Sequence, residues 1–265
     1  MGKEWADYDG STPVEMVHGF SLYLRPHCEY SRKRFVYRVA ERNELDWLQR
    51  QSLKEMVIFD VGANIGYFSC FLLNKMVGGE VHCFEPDPTS YEILARNMRL
   101  NKRTADYRCW NSAVGKQTGD IDLFINELHS GDNRTTYKGE ERTTVKVPCI
   151  TIDDYIGKEK INIIDFLKID VQGAEIEVLL GALTSIKTFN PTIYIEWEPE
   201  FHSAGSEFNN LFFEIGRTMK WQYCIIKNGE LFEIDLASSP DGYQGNLIIP
   251  GRHQDKFQSR SLGTS

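Results

Sequence analysis

Residues 57–73 read "VIFDVGANIGYFSCFLL": an apolar run, an acid, two glycines, and a second apolar run. A short apolar run without a period of two reads as a strand buried on both faces of a parallel sheet. Gly62 and Gly66 mark a tight turn, and the segment after them, apolar nearly all round, reads as a well-covered helix. Strand, glycine turn and helix in that order form the join at which open α/β sheets hold nucleotide-like ligands.

The pattern repeats outward from this join. "EVHCF" (80–84) reads as a second strand, with His82 a structural residue inside it. Asp87-Pro88 then predicts a helix N-cap with proline in the first position. Tyr91, Leu94, Ala95 and Met98 share one face of that helix, which Asn101 ends. "YRCWNSAVG" (107–115) is a third strand running into a loop, and "NIIDFLKIDV" (162–171) a fourth. Ile176, Leu179, Leu180 and Leu183 form the apolar face of the next helix, before a fifth strand, "PTIYIEW" (191–197). Phe208, Leu211, Phe212 and Ile215 repeat the helical spacing, and "WQYCII" (221–226) and "GNLIIP" (245–250) close the sheet. Strands alternating with helices predict an α/β fold with a mostly parallel sheet.

Three regions depart from this alternation. Residues 1–52 are polar and mixed, with strand-like "FSLYL" (20–24) and "RFVYRVA" (34–40), and are expected to form a small N-terminal appendage. "GDIDLFINE" (119–127) and "TTVKVPCITI" (143–152) alternate like paired strands, a hairpin-like insertion joined by the polar segment 128–142. That segment is long for a hairpin loop, and such loops tend to be functional or disordered. The main domain then spans 53–250, and the charged tail 251–265 is expected to fray.

A chain of 265 residues can bury one sizeable core. Its net charge of −8 argues against a nucleic-acid partner, since phosphate-backbone binders are usually basic. The basic cluster Arg25, Arg32, Lys33, Arg34, Arg38 and Arg42 is more readily a solvated face than a pocket for an anionic acceptor. No apolar run reaches the ~20 residues needed to span a bilayer. Residues 1–10 carry no apolar signal core, and the six cysteines show neither a C-x-x-C pair nor metal-ligand spacing. A reducing, cytoplasmic location is expected.

The glycine turn itself narrows the ligand. In "DVGANIG" (60–66), Asn64 stands where a dinucleotide fingerprint places its middle glycine, so close pyrophosphate packing is not indicated. Asp60 would repel a phosphate but favour a ligand carrying an ammonium and a sulfonium, as S-adenosylmethionine does. Glu85, in "CFEPDP" (83–88), lies roughly twenty residues beyond the turn, where an acid takes ribose hydroxyls in such folds. Ser112 and Ala113 are small enough to lie along an adenine. Asp60, Gly62, Asn64, Gly66, Glu85, Ser112 and Ala113 are therefore the expected cofactor-binding residues, with Gly62 approaching the cofactor. The rivals are a nucleotide-dependent oxidoreductase, disfavoured by the missing glycine, and a non-catalytic module that keeps the cofactor fold.

Taken together, "FDVGANIGYFS", "FEPDP", "NSAVG", "SGDNR", "LKIDVQGAEIEVLLGA" and "GNLIIP" resemble the FkbM-type methyltransferases over residues 44–250. The resemblance implies a Rossmann-like class I methyltransferase fold, with a seven-stranded sheet and helices on both faces. It implies S-adenosylmethionine as donor and a hydroxyl of a sugar, glycan or polyketide-like natural product as acceptor.

A hydroxyl is a weak nucleophile until its proton leaves, so a general base or a metal is expected. Asp170 ends the fourth strand, where it either orients or deprotonates the acceptor or caps the next turn. Lys168 points to the same side of that strand, as a structural or a catalytic partner. Glu175 reads as an acid complementing a helix N-terminus. Glu196 and Glu198, with Asp170, form either a site for a divalent cation such as Mg²⁺ or a solvated acidic rim, with Trp197 turned into the core. His129 lies in the polar segment, either exposed or over the acceptor. Asp170, His129 and Glu196 are thus the catalytic candidates. The N-terminal segment and residues 128–142, with Arg32, Arg34, Asp132, Asn133 and Arg134, favour a hydroxylated acceptor, and Tyr23, Tyr30 and Tyr137 either stack on sugar rings or serve in ordinary packing.

Overall fold

The computed structural model describes residues 4–135, 142–197, 207–236, 245–255, 257 and 259–261. A short hairpin, β1 (Val14–Glu15) and β2 (Ser21–Leu22), and two helices, α1 (Glu29–Tyr37) and α2 (Arg42–Arg50), precede the quoted strand, β3 (Val57–Val61). Then come α3 (Tyr67–Lys75), β4 (Glu80–Phe84), α4 (Pro88–Asn101) and β5 (Asp106–Trp110). The insertion holds β6 (Ala113–Val114), β7 (Gly119–Ile125) and β8 (Thr143–Ile150). The second half runs α5 (Ile152–Glu159), β9 (Phe166–Ile169), α6 (Glu175–Gly181), α7 (Leu183–Phe189), β10 (Thr192–Trp197) and α8 (Glu207–Met219). It closes with β11 (Tyr223–Lys227), β12 (Glu230–Ile234), β13 (Gly245–Ile249) and β14 (Ser259–Ser261).

The main sheet has the order β14-β12-β11-β13-β10-β9-β3-β4-β5. Its central run from β10 to β5 is parallel, and β13 inserts antiparallel between β10 and β11. The Rossmann-like α/β expectation holds, but the sheet has nine strands rather than seven. The additions are β12, turned back from β11 through left-handed Asn228 and Gly229, and β14, which pairs with β12. The tail holding β14 does not fray where it is described. Phe257 is 2% exposed and packs on Trp47 with ring centroids 5.2 Å apart, and Arg252 pairs with Asp165 at 2.6 Å.

Helices cover both faces. On one, α3 and α4 share a core with Tyr8, Phe20, Leu22, Leu45, Trp47 and Leu48, so the described N-terminal residues complete that core rather than hang from it. On the other, Tyr155, Val178, Leu179, Ile186 and Phe212 pack beneath the sheet. Two expected elements change. Residues 34–37 of "RFVYRVA" close α1, where Arg34 stacks on Tyr30 one turn earlier at 3.2 Å, and only Ser21 and Leu22 of "FSLYL" pair as a strand. The helix after β9 breaks at Ala182 and buries Val178, Leu179, Ala182 and Ile186, so that of the expected face only Leu179 is fully buried. His82 is structural as expected: it is fully buried against the Tyr155 hydroxyl at 2.7 Å, and burial pushes its imidazole down to about 4.

The insertion is a separate three-stranded sheet, with β7 and β8 antiparallel and β6 beside β8. Among the described residues, no helix is long and apolar enough to cross a membrane. The strand order reverses between β3 and β9. That reversal opens a crevice at their carboxyl ends, where open α/β sheets bind ligands.

Candidate active site

A cavity of about 350 Å³ fills this crevice. Its floor is the glycine turn. Gly62 has φ +79°, and a Cβ there would lie 1.9 Å from the Asp170 carbonyl oxygen. The turn is therefore pressed against the end of β9, and glycine is required by the fold before any ligand arrives. Gly66, at φ +87°, lets α3 approach Leu94 of α4. Asn64 is also left-handed (φ 50°), a conformation Asn tolerates better than most residues. Its side chain donates to the Ser130 carbonyl at 3.0 Å and accepts from the Ser130 hydroxyl at 3.2 Å, tying the 128–142 segment to the turn.

Glu85 is buried at the end of β4 and lines the cavity. One carboxylate oxygen accepts from the Asn64 amide at 2.7 Å, the other from the Asp87 amide at 2.9 Å. Burial nevertheless pushes its carboxyl up to about 8. Ser112 and Ala113 line the same cavity, with the Ser112 hydroxyl donating to the Pro148 carbonyl of β8 at 3.1 Å.

Asp60 is a correction. It is fully buried beneath the turn and does not reach the cavity wall. Its carboxylate accepts from the Ser69 hydroxyl and pairs with the Lys168 ammonium at 3.1 Å. Lys168 also pairs with Asp170 at 3.3 Å, so Asp60, Lys168 and Asp170 form one ion-pair triad. Burial opposes the ammonium charge, but Asp60, Asp170 and Glu41 outweigh it and lift Lys168 above its usual range. For Asp170, burial is outweighed by Lys168 and Gln172, which hold its carboxyl below the usual range.

Gln172 also orders the acidic rim. Its side-chain amide donates to Asp170 at 3.2 Å and to Glu196 at 2.7 Å. An amide thus stands where a divalent cation would have to sit between those carboxylates. Among the described residues no group of three or more His, Cys, Asp or Glu side chains suits a metal ion, so Mg²⁺ finds no ligand set there. Glu198 and Tyr137 lie outside the described residues. Trp197 is core, as expected. Glu175 accepts from the amides of Gly173 at 3.0 Å and Val171 at 3.3 Å at the start of α6, and burial pushes its carboxyl up to about 7.

His129, Asp170 and Glu196 all line the one cavity. His129 stands edge-on to Tyr30 at 6.1 Å, with a buried Nδ1 that has no hydrogen-bond partner. The basic cluster divides. Arg32 pairs with Glu29 at 2.6 Å, and Arg25 pairs with Asp87 at 2.8 Å. Arg34 alone of the six joins the cavity wall, its guanidinium 3.2 Å from the Tyr30 ring centroid. A residue absent from the sequence reading completes the wall: Glu41, left-handed at φ 45° before α2. The charged wall then carries more acids than bases, Glu41, Glu85, Asp170 and Glu196 against Arg34 and Lys168.

Residues 60–223, more than half of the chain, match the family model of the methyltransferase FkbM domain. The chain belongs to the FkbM methyltransferase family. It is 29% identical over 172 residues to methyltransferase sdnD of Sordaria araneosa, covering 54% of this chain and 66% of that one. It is 23% identical over 151 residues to the hexuronic acid methyltransferase AglP of Haloferax volcanii, covering 57% and 60%. The 2-O-methyltransferase NoeI of Sinorhizobium fredii is 25% identical over 192 residues, covering 67% and 76%. The match therefore spans less than two thirds of sdnD and of AglP. The crystal structure of methyltransferase FkbM from Methylobacillus flagellatus KT is 18% identical, with a TM-score of 0.48 over 76% of this chain and 45% of that chain.

Within this FkbM methyltransferase, the matched residues supply Glu85, Ser112, His129, Asp170 and Glu196. Tyr30, Arg34 and Glu41 come from outside the match, so the cavity is walled by two different parts of the chain.

Proposed function

We propose that the protein is an S-adenosylmethionine-dependent O-methyltransferase acting on a hydroxyl of a sugar or glycan, ahead of a polyketide-like natural product. The observation that carries the reading is Glu85. Each of its oxygens accepts one backbone amide, and each keeps acceptor capacity for a further donor, as a ribose diol requires. The acidic wall suits a donor with a sulfonium and an ammonium, and Ser112 and Ala113 offer small side chains beside an adenine. When bound, S-adenosylmethionine supplies an electrophilic methyl carbon. Asp60 contributes by fixing Lys168, and Gly62, Asn64 and Gly66 shape the turn that presents Glu85.

The chain's remaining task is to align an acceptor oxygen and exclude water, which supplies about 7–11 kcal/mol in well-oriented reactions. Asp170 and Glu196, tied to Lys168 and Gln172, act as fixed acceptors that orient hydroxyls, and His129 faces them from the covering segment. The names of AglP, NoeI and the 31-O-demethyl-FK506 methyltransferase FkbM speak of a hexuronic acid, 2-O-methylation and 31-O-demethyl-FK506. A wall holding Tyr30, Arg34, His129 and Asn133 favours a polyhydroxylated acceptor over an apolar one, because buried polar groups need partners.

Calorimetry should show binding of S-adenosylhomocysteine and far weaker binding of NAD. Glu85→Ala should weaken the former by about 1–3 kcal/mol. Labelled methyl should pass to a member of a panel of hexoses, hexuronic acids and nucleotide sugars. Tight NAD binding without a response to S-adenosylhomocysteine would remove the methyl-donor reading, and transfer to apolar macrolides alone would remove the sugar reading.

A further inference from the structure

We infer that Glu41 is the general base that takes the proton from the acceptor hydroxyl. The inference rests on the O-methyltransferase reading above. Glu41 precedes α2 and lines the cavity together with residues at the carboxyl ends of β9 and β10. The other described acids of the wall are tied: Glu85 by two backbone amides, Asp170 by Lys168 and Gln172, Glu196 by Gln172. Among these acids, Glu41 alone carries a buried oxygen, Oε2, without a hydrogen-bond partner. No hydrogen bond or ion pair ties this half-buried side chain, so the carboxylate it presents to the cavity has a lone pair ready for an incoming hydroxyl proton.

The groups facing Glu41 come from every element around it. Arg34 of α1 and Lys168 of β9 favour its charged form, while Asp170 and Glu44 oppose it, and the phenols of Tyr30, Tyr67 and Tyr194 stand nearby. Burial dominates and pushes its carboxyl up to about 7, close to the ambient pH at which a base works best. In the step itself, a lone pair of the acceptor oxygen forms the new O–C bond to the donor methyl. The C–S bond breaks with its electron pair left on sulfur, giving a neutral thioether. The hydroxyl proton moves to the Glu41 carboxylate and passes to solvent once the product leaves. Glu41 lies outside residues 60–223, beside Tyr30 and Arg34. The segment that shapes the acceptor wall thus also brings the base.

The test uses the full chain with Glu41→Gln and Glu41→Asp. With labelled S-adenosylmethionine and the panel sugar that the wild type methylates, Glu41→Gln should lower kcat by about 100-fold or more. The rise of kcat with pH centred near 7 should disappear, and Glu41→Asp should restore part of the rate. The Kd for S-adenosylhomocysteine should stay within about threefold. A carbon-13 spectrum of glutamate-carboxyl-labelled protein should show signals titrating near 7 from Glu41 and Glu175, of which one is missing in Glu41→Gln. A raised Kd with kcat intact at saturating donor would make Glu41 a donor anchor and overturn the proposal, as would an unchanged kcat or the absence of that titrating signal. A wild type that methylates no panel sugar overturns the acceptor reading instead, and the carboxyl titration still decides Glu41.

Discussion

Lys168 is an ammonium held 3.1 Å from Asp60 and 3.3 Å from Asp170 in a site with almost no access to water. Removing one partner of a buried ion pair strands the others, at a cost of about 3–5 kcal/mol. Lys168→Met should therefore lower the free energy of urea unfolding by that amount, and adding Asp60→Asn should recover part of it. A single variant with wild-type stability would mean that the triad is not structural. Gly62 belongs to the same scale. Its sequence reading assigned it to the ligand, but Gly62→Val should fail first in folding, because the new Cβ meets the Asp170 carbonyl. That Glu85, His129, Asp170 and Glu196 line one cavity was legible in the sequence, because strand ends and their covering loops converge where such sheets bind ligands. Asp60 was misplaced because its partner Lys168 lies across the sheet on β9, a neighbour that no local pattern reveals. Glu41 was not seen because a left-handed glutamate before a helix leaves no mark in the residues around it.

At the scale of elements, the alternation of strand and helix carried most of the architecture, and the two added strands show its limits. β12 is legible in the sequence: Asn228-Gly229 between "YCIIK" and "ELFEI" is a strong hairpin signal. β14 is not, since its residues are polar and pair at the edge of the sheet next to an anchor placed by tertiary contact. That anchor is Phe257 on Trp47, which joins the tail to α2. Phe257→Ala should cost about 3–5 kcal/mol in urea unfolding, the range for emptying a buried aromatic site. A loss below about 1 kcal/mol would return the tail to the frayed state that its composition suggested.

For the molecule as a whole, three buried glutamates set the response to pH. Burial raises Glu41 to about 7, Glu85 to about 8 and Glu175 to about 7, all from an ordinary 4.5. Between 4.5 and those values the unfolded chain releases protons that the folded chain keeps, so stability falls as pH rises through that window. Asp165 acts the other way. Burial is outweighed there by His253, the Val57 amide and Arg252, which hold it near about 2, and its contribution is lost only as pH falls below its ordinary 3.8. The ligand-free protein should melt highest near about pH 5 and progressively lower toward pH 8, with a flatter profile in Glu85→Gln. A Tm that climbs over that interval would contradict this account. The strand reversal between β3 and β9 has a consequence for synthesis. Asp60 leaves the ribosome with β3, and β4 and β5 follow soon after, yet the cation that neutralises it is encoded far downstream on β9. Until Lys168 emerges, closing helices over β3 would bury an uncompensated carboxylate. The first half of the sheet must therefore stay open to water during translation. The crevice comes into being only when the late strand slots in beside the early one.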